Sequence, residues 1–276
     1  MTINCAGYLL HLKEPKVMGI VNLTPDSFYD GGKLDSESNL LKHVENLLNE
    51  GSDFIDIGGC STRPKSKFIT KEEEIKRVIK PIRTIIKNFP DIRISIDTFR
   101  SEVARIAVEE GVVMINDISG GELDKNMFPL LGKLKIPYIL NHMKGIPENM
   151  QEKPCYKHNI ITEINNFFSK KFLFKKNGIQ DIILDPGFGF GKTLEQNFQL
   201  LKHLSLLGFQ DHLILIGISR KSMIKHLLKI SHKESLNATS VIHTIALLNG
   251  SKLLRVHDVK EAVECIKLVQ YYRNIL

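Results

Sequence analysis

Residues 40–59 read LLKHVENLLNEGSDFIDIGG and contain, in order, the four parts of a unit that recurs along the chain. In the first part, apolar residues are spaced three and four positions apart, which predicts an amphipathic helix. Gly51 then predicts a helix end in the left-handed conformation. Phe54–Ile57 is a short apolar run typical of a buried strand, and Gly58-Gly59 opens a polar segment.

Seven further apolar runs alternate with helical segments in the same way, and Gly111, Gly178 and Gly250 each stand between a helical segment and a run. The runs are mostly apolar on both faces, as parallel strands covered by helices are. Eight units predict an α/β fold, a single-domain (β/α)8 TIM barrel over residues 1–276, with a doubly wound open sheet as the alternative. The seven runs are Val17–Val21, Ile92–Ile96, Val112–Ile115, Tyr138–Leu140, Ile182–Leu184, Leu213–Ile218 and Leu253–Val256.

Two additions to the barrel are predicted. The segment Ile3–His11 could form a short N-terminal hairpin that closes the bottom of the barrel, and residues 219–250, after the seventh strand, leave room for two helices, one more than the repeat requires. Sequences with Glu three residues after Thr70 and after Asp258 predict capping boxes at two helix starts.

The composition is that of an ordinary globular protein, with 42% hydrophobic and 25% charged residues. No apolar run approaches the roughly 20 residues needed to cross a bilayer, and the N-terminus lacks the pattern of a signal peptide. The four cysteines are scattered, which favours a reducing cytoplasm. The lysines behind the net charge of +7 are spread along helices, so nucleic-acid binding is not expected, while a basic pocket for a phosphorylated substrate fits.

Every apolar run ends in polar or glycine-rich sequence, the position where barrels assemble active sites. Taken singly, each motif is explained by a turn or a helix cap. Turns and helix caps do not explain why three acceptor-rich residues and three cationic or donor residues should converge on one end of the barrel, its mouth. Such a set suits a ligand with an amide-like heterocycle at one end and phosphates at the other. The six residues are Asp97, Asn116, Asp185, Lys221, Arg255 and His257.

Over nearly its full length the chain resembles the dihydropteroate synthase family, with that family's motifs in order and at similar spacing. We therefore expect a transferase of folate biosynthesis and a target of sulfonamides. The residues that carry the resemblance are Met18–Phe28, Asp56–Gly59, Ser61–Pro64, Ser95–Thr98, Asn116–Gly121, Asp185–Lys192, Ser219–Ser222 and Arg255–Asp258.

The resemblance implies that 6-hydroxymethyl-7,8-dihydropterin diphosphate lies in the barrel mouth and that the amine of p-aminobenzoate displaces diphosphate from its exocyclic carbon. Asp185 would accept hydrogen bonds from the pterin donors, Asp97 would stabilise the developing positive charge, and Lys221 would donate to the opposite ring edge. Asp97 and Lys221 are the expected catalytic residues. The implied pterin-binding residues are Asp97, Asn116, Ile118, Met143, Asp185, Phe190 and Lys221.

The resemblance also implies a diphosphate clamp, an amine-side pocket, and Mg²⁺ bound through the Asn22 side-chain oxygen. The clamp would consist of Asn22, Thr62, Arg255 and His257. The p-aminobenzoate pocket would draw on Phe28, Thr62, Arg63, Pro64, Phe190 and Ser222. A homodimer is expected through the last helices, where Val241, Ile245, Leu247 and Leu248 could form an apolar face or could cover the barrel.

Three residues depart from the family pattern, namely Cys60, which could be partly exposed and oxidisable, Lys65 and Asn141. His142 is expected to be structural. Two other functions are considered: a methyltetrahydrofolate-type methyltransferase, which would not need the Ser61–Pro64 and Ser219–Ser222 motifs, and a catalytically silent pterin-binding protein. Lys221 could instead form a Schiff base, but its neighbours follow the synthase pattern.

Overall fold

The computed structural model describes residues 2–24, 36–62, 66–152, 154–173, 178–208 and 212–275. Eight parallel strands form a closed barrel in the order β10-β3-β4-β5-β6-β7-β8-β9, which confirms the predicted TIM barrel. The strands are β1 Thr2–Cys5, β2 Tyr8–His11, β3 Lys16–Asn22, β4 Phe54–Gly58, β5 Ile94–Asp97, β6 Met114–Asp117, β7 Tyr138–Asn141, β8 Ile182–Asp185, β9 Leu213–Ile216 and β10 Leu253–Val256. The helices are α1 Glu37–Asn49, α2 Lys71–Asn88, α3 Ser101–Glu109, α4 Met127–Leu134, α5 Ile160–Phe172, α6 Leu194–Lys202, α7 Ser222–Leu228, α8 Leu236–Leu248 and α9 Val259–Asn274.

Several strands run further into the polar motifs than hydrophobicity predicts. β5 ends on Asp97, β7 on Asn141 and β8 on Asp185, each one residue beyond the apolar run. In the barrel register Gly58 pairs with Asp97 and Asn141 pairs with Asp185. A parallel ladder needs only the backbone, so a polar residue can extend a strand while its side chain enters the barrel mouth.

The lower half of the barrel interior is apolar and is closed by the predicted hairpin, β1 and β2. Ile3, Cys5 and Leu12 pack on inward-facing residues of the barrel strands in one cluster, here called the apolar floor. The Asn4 backbone N–H donates to Asp181 Oδ2 at 2.8 Å and fixes the hairpin to the segment before β8. The barrel residues of the floor are Met18, Phe54, Met114, Ile139, Ile183, Leu213, Leu215 and Leu253.

Three of the four predicted helix ends are confirmed, the Thr70 capping box is formed in part, and the Asp258 capping box is not formed. Thr70 accepts from the Glu73 N–H at 3.2 Å, while the Glu73 side chain binds Arg77. Gly51, Gly111 and Gly250 follow the caps of α1, α3 and α8 with positive φ; Gly178 also has positive φ but is separated from α5 by residues outside the described ranges. Asp258 precedes α9 yet makes no side-chain cap hydrogen bond. Its carboxylate instead binds the Arg220 guanidinium, because a buried cation requires a charged partner more strongly than a helix start requires a cap.

Two helices, α7 and α8, follow β9, as the length of that segment predicts. The four apolar residues predicted either to form a dimer face or to cover the barrel are divided between the two sides of α8. Leu247 is fully buried in the core, whereas Val241, Ile245 and Leu248 of α8 are exposed. Leu247 therefore belongs to the barrel-facing side of the helix. In the described residues, no helix is both long and apolar enough to span a bilayer.

The turn after β6 is organised by the buried carboxylate of Asp117. It accepts from the Ser119 N–H at 2.8 Å, from the Ser119 hydroxyl at 2.7 Å and from the Gly121 N–H at 2.9 Å. On its other side the Tyr138 hydroxyl donates to it at 2.8 Å. These bonds fix the backbone that follows Asn116, which forms one side of the barrel mouth.

Replacing Tyr138 with phenylalanine should lower the free energy of unfolding by about 1 to 2 kcal/mol, because one buried hydrogen bond to a charged group is lost while Asp117 keeps three others. Urea denaturation measures the change. Tyr8→Phe is the matched control, since Tyr8 is exposed on β2 and should show no effect. Equal unfolding curves for Tyr138→Phe and the parent would contradict the expectation.

Candidate active site

Four polar side chains meet inside the barrel, one layer above the apolar floor. Asp56 Oδ2 accepts from Asn116 Nδ2 at 2.9 Å and from Arg255 Nε at 2.6 Å. Arg255 also donates from Nη2 to Asp97 Oδ2 at 2.7 Å. Within the described chain, Oδ1 of Asp56 and Oδ1 of Asp97 are buried without a hydrogen-bond partner. The structure thus brings three predicted site residues together and leaves two acceptors for a ligand.

Asp97 and Arg255 titrate very differently although they touch. Burial raises the pKa of the Asp97 carboxyl to about 7 despite the opposing charge of Arg255, with Asp56 adding to the rise. For Arg255, burial lowers the pKa, but the charges of Asp56 and Asp97 outweigh it and the net direction is upward. Arg255 therefore stays charged, while Asp97 changes charge near neutral pH.

Asp185, the last residue of β8, and Lys221, which directly precedes α7, act on each other through their charges. Asp185 Oδ1 accepts from the Gly187 N–H at 2.7 Å; burial raises its pKa, against the charge of Lys221. Burial lowers the pKa of Lys221 to about 8, against the charge of Asp185. Lys221 Nζ donates to the Phe188 carbonyl and lies 4.3 Å from the centroid of the Phe190 ring.

An apolar cluster, here called the mouth cluster, lines the site beside these polar groups. It joins three predicted ligand contacts, Ile118, Met143 and Phe190, each of which follows a different barrel strand. Cys60 belongs to it, and burial raises the pKa of this thiol, so the expectation of a partly exposed, oxidisable Cys60 is wrong. The members are Cys60, Phe68, Ile69, Phe99, Ile118, Met143 and Phe190.

The proposed diphosphate side of the mouth is built around His257. Its Nδ1 lies 3.1 Å from Ser219 Oγ, which also accepts from the His257 backbone N–H at 3.2 Å. Burial, and then the charge of Arg255, lowers the pKa of His257 to about 3, so the ring is neutral at pH 7. Asn22 ends β3, and no hydrogen bond among the described residues uses its side chain. Thr62 is partly buried after β4.

The amine side of the mouth is only partly described. Phe28, Arg63 and Pro64, and the departure at Lys65, lie outside the described residues, so their roles stay predictions. Ser222 is the first residue of α7 and follows Lys221 directly.

The turn that carries Lys221 is held by a buried ion pair. Arg220 has a φ of 56°, an uncommon conformation for a residue with a side chain. Its guanidinium binds both oxygens of Asp258, at 2.8 and 2.5 Å, and its backbone N–H donates to Thr239 Oγ1 at 3.3 Å. These contacts hold Arg220 in the left-handed conformation and so fix the backbone direction at the next residue, Lys221.

The loop after β8 is held from inside by Lys192. Its buried Nζ donates to the carbonyls of Gly187 and Phe190 at 2.8 and 3.1 Å and lies 3.1 Å from Nδ1 of His142. His142 is buried, as expected for a structural residue. A Cβ at Gly187, whose φ is 69°, would lie 1.9 Å from the His142 carbonyl oxygen, so this position requires glycine.

The departure at Asn141 has a structural explanation. Its Nδ2 donates to the Ile118 carbonyl at 2.6 Å and ties β7 to the turn after β6. The amide is almost fully buried. The NH₂ group of Asn141 thus has a backbone partner in Ile118, whereas its Oδ1 is buried without a partner among the described residues, so the amide is only half satisfied.

Sequence reasoning missed Asp56 and Phe99 as members of the site. Asp56 was quoted only as part of a motif, yet it links Asn116 to Arg255. A signal was present, because a charged residue inside the run Phe54–Ile57 must be paired when the strand is buried. Phe99 packs against Phe68 with ring centroids 4.5 Å apart, a contact that the sequence gives no means of finding.

Comparison with known proteins identifies relatives over the full chain. The family described as "Pterin binding enzyme" matches residues 18–257. Dihydropteroate synthase of Escherichia coli K12 is 39% identical over 273 residues, which cover 98% of this chain and 96% of that protein. The structure of Yersinia pestis dihydropteroate synthase with a sulfonamide drug has a TM-score of 0.94 at 38% identity, covering 100% of both chains. Xanthomonas albilineans dihydropteroate synthase in complex with 7,8-dihydropteroate gives 0.88 at 34% identity, again covering 100% of both.

Proposed function

The chain belongs to the dihydropteroate synthase family, and from this premise we propose how its residues join 6-hydroxymethyl-7,8-dihydropterin diphosphate to p-aminobenzoate, giving 7,8-dihydropteroate and diphosphate. The proposal rests on one observation, the group of polar side chains at the barrel mouth. Buried acceptors on Asp97, Asn116 and Asp185 face the donor Lys221 beside the mouth cluster. That arrangement fits a flat heterocycle with donors on one edge and acceptors on the other.

Pterin recognition rests on Asp185, Asn116 and Lys221. The Asp185 carboxylate accepts from the 2-amino group and a ring N–H, which is a bidentate arrangement for an ionised acid. Asn116 supplies a further acceptor, and Lys221 donates to the opposite ring edge. Met143, Phe190 and the rest of the mouth cluster pack on the ring faces.

The transfer exchanges one bond for another at the exocyclic carbon. Its bond to the diphosphate oxygen breaks and the electron pair leaves with diphosphate, while the lone pair of the amine forms the new C–N bond. The amine then loses one proton to solvent. Positive charge grows on the pterin methylene as diphosphate departs, and the ionised Asp97 carboxylate stabilises it in surroundings from which water is largely excluded.

A plot of kcat/KM against pH should be bell-shaped. Its acidic limb, where activity falls with falling pH, should lie near pH 7, and its alkaline limb, where activity falls with rising pH, should lie near pH 8. The raised pKa of Asp97, about 7, means that activity falls as pH falls through 7 and the carboxylate is protonated. The lowered pKa of Lys221, about 8, means that activity falls again above 8 as the ammonium is lost. Lys221→Arg keeps its charge and should remove the alkaline limb; an unchanged limb in this variant would rule out Lys221 as its source.

On the diphosphate side we propose contacts from Asn22, Thr62, Arg255 and His257, with Mg²⁺ as the counter-ion. The described residues contain no group of three or more His, Cys, Asp or Glu arranged for a metal. One amide oxygen, that of Asn22, fits Mg²⁺, which keeps water and phosphate oxygens as its other ligands and would neutralise the leaving diphosphate. Calorimetry of Mg²⁺ with diphosphate on Asn22→Ala should show weaker binding than on the parent chain.

The p-aminobenzoate pocket is proposed to lie against Phe190, Thr62 and Ser222, with Phe28, Arg63 and Pro64 completing it. Its support is the position of Phe190, which reaches both the mouth cluster and Lys221. Because the Yersinia pestis relative was solved with a sulfonamide drug, we propose that sulfonamides compete for the same pocket here.

A diphosphate-release assay tests the function. The protein is mixed with the pterin diphosphate and Mg²⁺, with and without p-aminobenzoate, and released diphosphate and 7,8-dihydropteroate are measured together. We expect release that depends on the amine and matches the product one to one. Folded protein that releases no diphosphate in response to the amine would reject the assignment.

We further propose a cytoplasmic homodimer. All four cysteines are free thiols, which fits a reducing compartment. On α8 and α9, exposed apolar side chains include Val241, Ile245, Leu248, Leu268 and Tyr271. A second copy could cover this face, and sedimentation analysis should show a dimer that Val241→Glu disrupts.

A further inference from the structure

Asp56 is the hub of the buried polar layer, although it stands inside a strand that is otherwise apolar. It is fully buried on β4, and its Oδ2 takes two hydrogen bonds from opposite directions. Asn116 Nδ2, from β6, is at 2.9 Å and Arg255 Nε, from β10, is at 2.6 Å. One carboxylate oxygen therefore connects two strands that are not neighbours of each other in the barrel.

The first consequence concerns the polarity of Asn116. A side-chain amide can present either its oxygen or its NH₂ group, and its surroundings decide which. An ionised carboxylate can only accept, so Asp56 requires the NH₂ group of Asn116. The Asn116 oxygen must then point away from Asp56, where it offers an acceptor to a ligand.

The second consequence concerns the direction of Arg255. Its Nε is bound to Asp56 and its Nη2 is bound to Asp97 at 2.7 Å. A guanidinium is planar and rigid, so fixing these two nitrogens fixes the third. Nη1 makes no hydrogen bond with the described residues and keeps its protons for a ligand.

We infer that Asp56 is a positioning residue for the transfer reaction, which sets the acceptor polarity of Asn116 and holds Arg255 against Asp97. The inference rests on the proposed function, because it assigns Asp56 an effect on the residues that contact the pterin. Asp56 itself acts through those residues. Its charge has a separate effect, since a negative group close to Asp97 opposes ionisation of that acid.

The charges around Asp97 decide the direction of that second effect. Burial raises the pKa of Asp97 to about 7, Arg255 lowers it, and Asp56 raises it. Asp56→Asn removes this charge but keeps a side-chain oxygen that can accept from Arg255 Nε, so Arg255 stays against Asp97 and the pKa of Asp97 should fall. The charged groups that act on Asp97 from the surrounding elements are Asp56 on β4, Glu74 on α2, Asp117 on β6, Lys221 before α7 and Arg255 on β10.

The test uses Asp56→Asn in the full chain, with calorimetry of a pterin that lacks diphosphate and the pH profile of kcat/KM. Pterin affinity should fall by about 10- to 100-fold, because an amide at 56 no longer dictates the orientation of Asn116. The acidic limb should move to lower pH. Asp53→Asn is the control, since it removes a carboxylate just before the same strand, at the other end of the barrel, and should change neither quantity.

The exchanged variant Asp56→Asn with Asn116→Asp covers the case in which Asp56→Asn does not fold. It again places one amide against one carboxylate and offers a carboxylate oxygen to the ligand, but it gives up the acceptor of Arg255 Nε, because Asp56 Oδ2 takes both hydrogen bonds in the parent. Asn116→Asp alone sets two carboxylates against each other, so the exchanged variant should bind the pterin at least about tenfold more tightly than that single variant. Equal pterin affinities in these two variants would overturn the inference.

The results of these experiments distinguish a failure of this inference from a failure of the proposed function. A parent chain without amine-dependent diphosphate release rejects the function itself. An active parent whose Asp56→Asn variant keeps both its pterin affinity and its acidic limb rejects only the role of Asp56. A variant that loses affinity without any movement of the limb also overturns the inference, because a merely structural role would produce that result.

Discussion

Alanine in place of Asp185 should abolish measurable pterin binding and reduce kcat/KM for diphosphate release by about 10³-fold. The variant removes the proposed bidentate acceptor and leaves Lys221 buried without the charge that opposes its loss of a proton. Each hydrogen bond to a charged group contributes about 1.5 to 3 kcal/mol, so the two lost here account for about 3 to 6 kcal/mol, and each 1.4 kcal/mol corresponds to about a factor of ten. Calorimetry with the free pterin and steady-state kinetics measure the two effects.

Asp181→Ala provides the matched control. Asp181 directly precedes the same strand, at the opposite end of the barrel, where it accepts the Asn4 N–H at 2.8 Å. Its removal should leave pterin affinity unchanged. If Asp185→Ala still bound pterin with an affinity within about tenfold of the parent, the anchoring role of Asp185 would be wrong.

His257→Ala should give the complementary result. It should weaken binding of the pterin diphosphate, while the pterin without diphosphate binds as before, because His257 lies on the phosphate side beside Ser219. Equal losses for the two ligands in Asp185→Ala and in His257→Ala would refute the division of the site into pterin and diphosphate halves.

Methionine at Arg220 should lower the free energy of unfolding by about 3 kcal/mol or more, the second large effect that we expect. The substitution leaves the Asp258 carboxylate buried without the guanidinium that binds both of its oxygens. It also removes the contacts that hold residue 220 at a φ of 56°. Urea denaturation measures the loss, and kinetics should show a parallel fall because Lys221 is the next residue.

The double variant Arg220→Met with Asp258→Leu distinguishes pairing from packing. It leaves no buried charge unpaired, so it should recover a large part of the stability that Arg220→Met loses. Arg83→Met is the control, because Arg83 pairs with Glu110 on the surface and should leave stability unchanged. A double variant no more stable than Arg220→Met would contradict the pairing argument.

Most of the fold could be predicted because the patterns that indicate strands and helices lie within short stretches of sequence. Apolar runs of three to six residues followed by polar motifs indicate where each strand lies, although several strands end at a different residue from the run. Asp97, Asn116 and Asp185 could be placed at one mouth because the carboxyl ends of parallel barrel strands share one end of the barrel. That argument needs no contact between distant residues.

Contacts across the barrel could not be predicted in the same way. Arg255 and Asp56 are 199 residues apart, and only closure of the sheet brings them to 2.6 Å. The prediction of a capping box at Asp258 was wrong for a similar reason. The Asp258 carboxylate binds Arg220, which is 38 residues away in the sequence, instead of capping α9. The sequence also left open whether the apolar residues of α8 cover the barrel or face outward, because helical spacing alone does not say that Leu247 meets the barrel while Leu248 does not.

The packed side chains of the apolar floor, with the hairpin beneath them, close the lower end of the barrel. The polar layer around Asp56 lies next to the apolar floor, so a ligand can reach it only from above. The molecule that binds deepest must therefore enter before the one that covers it. We expect the pterin diphosphate to bind first and p-aminobenzoate second, and the architecture itself then gives the two-substrate reaction a compulsory sequence.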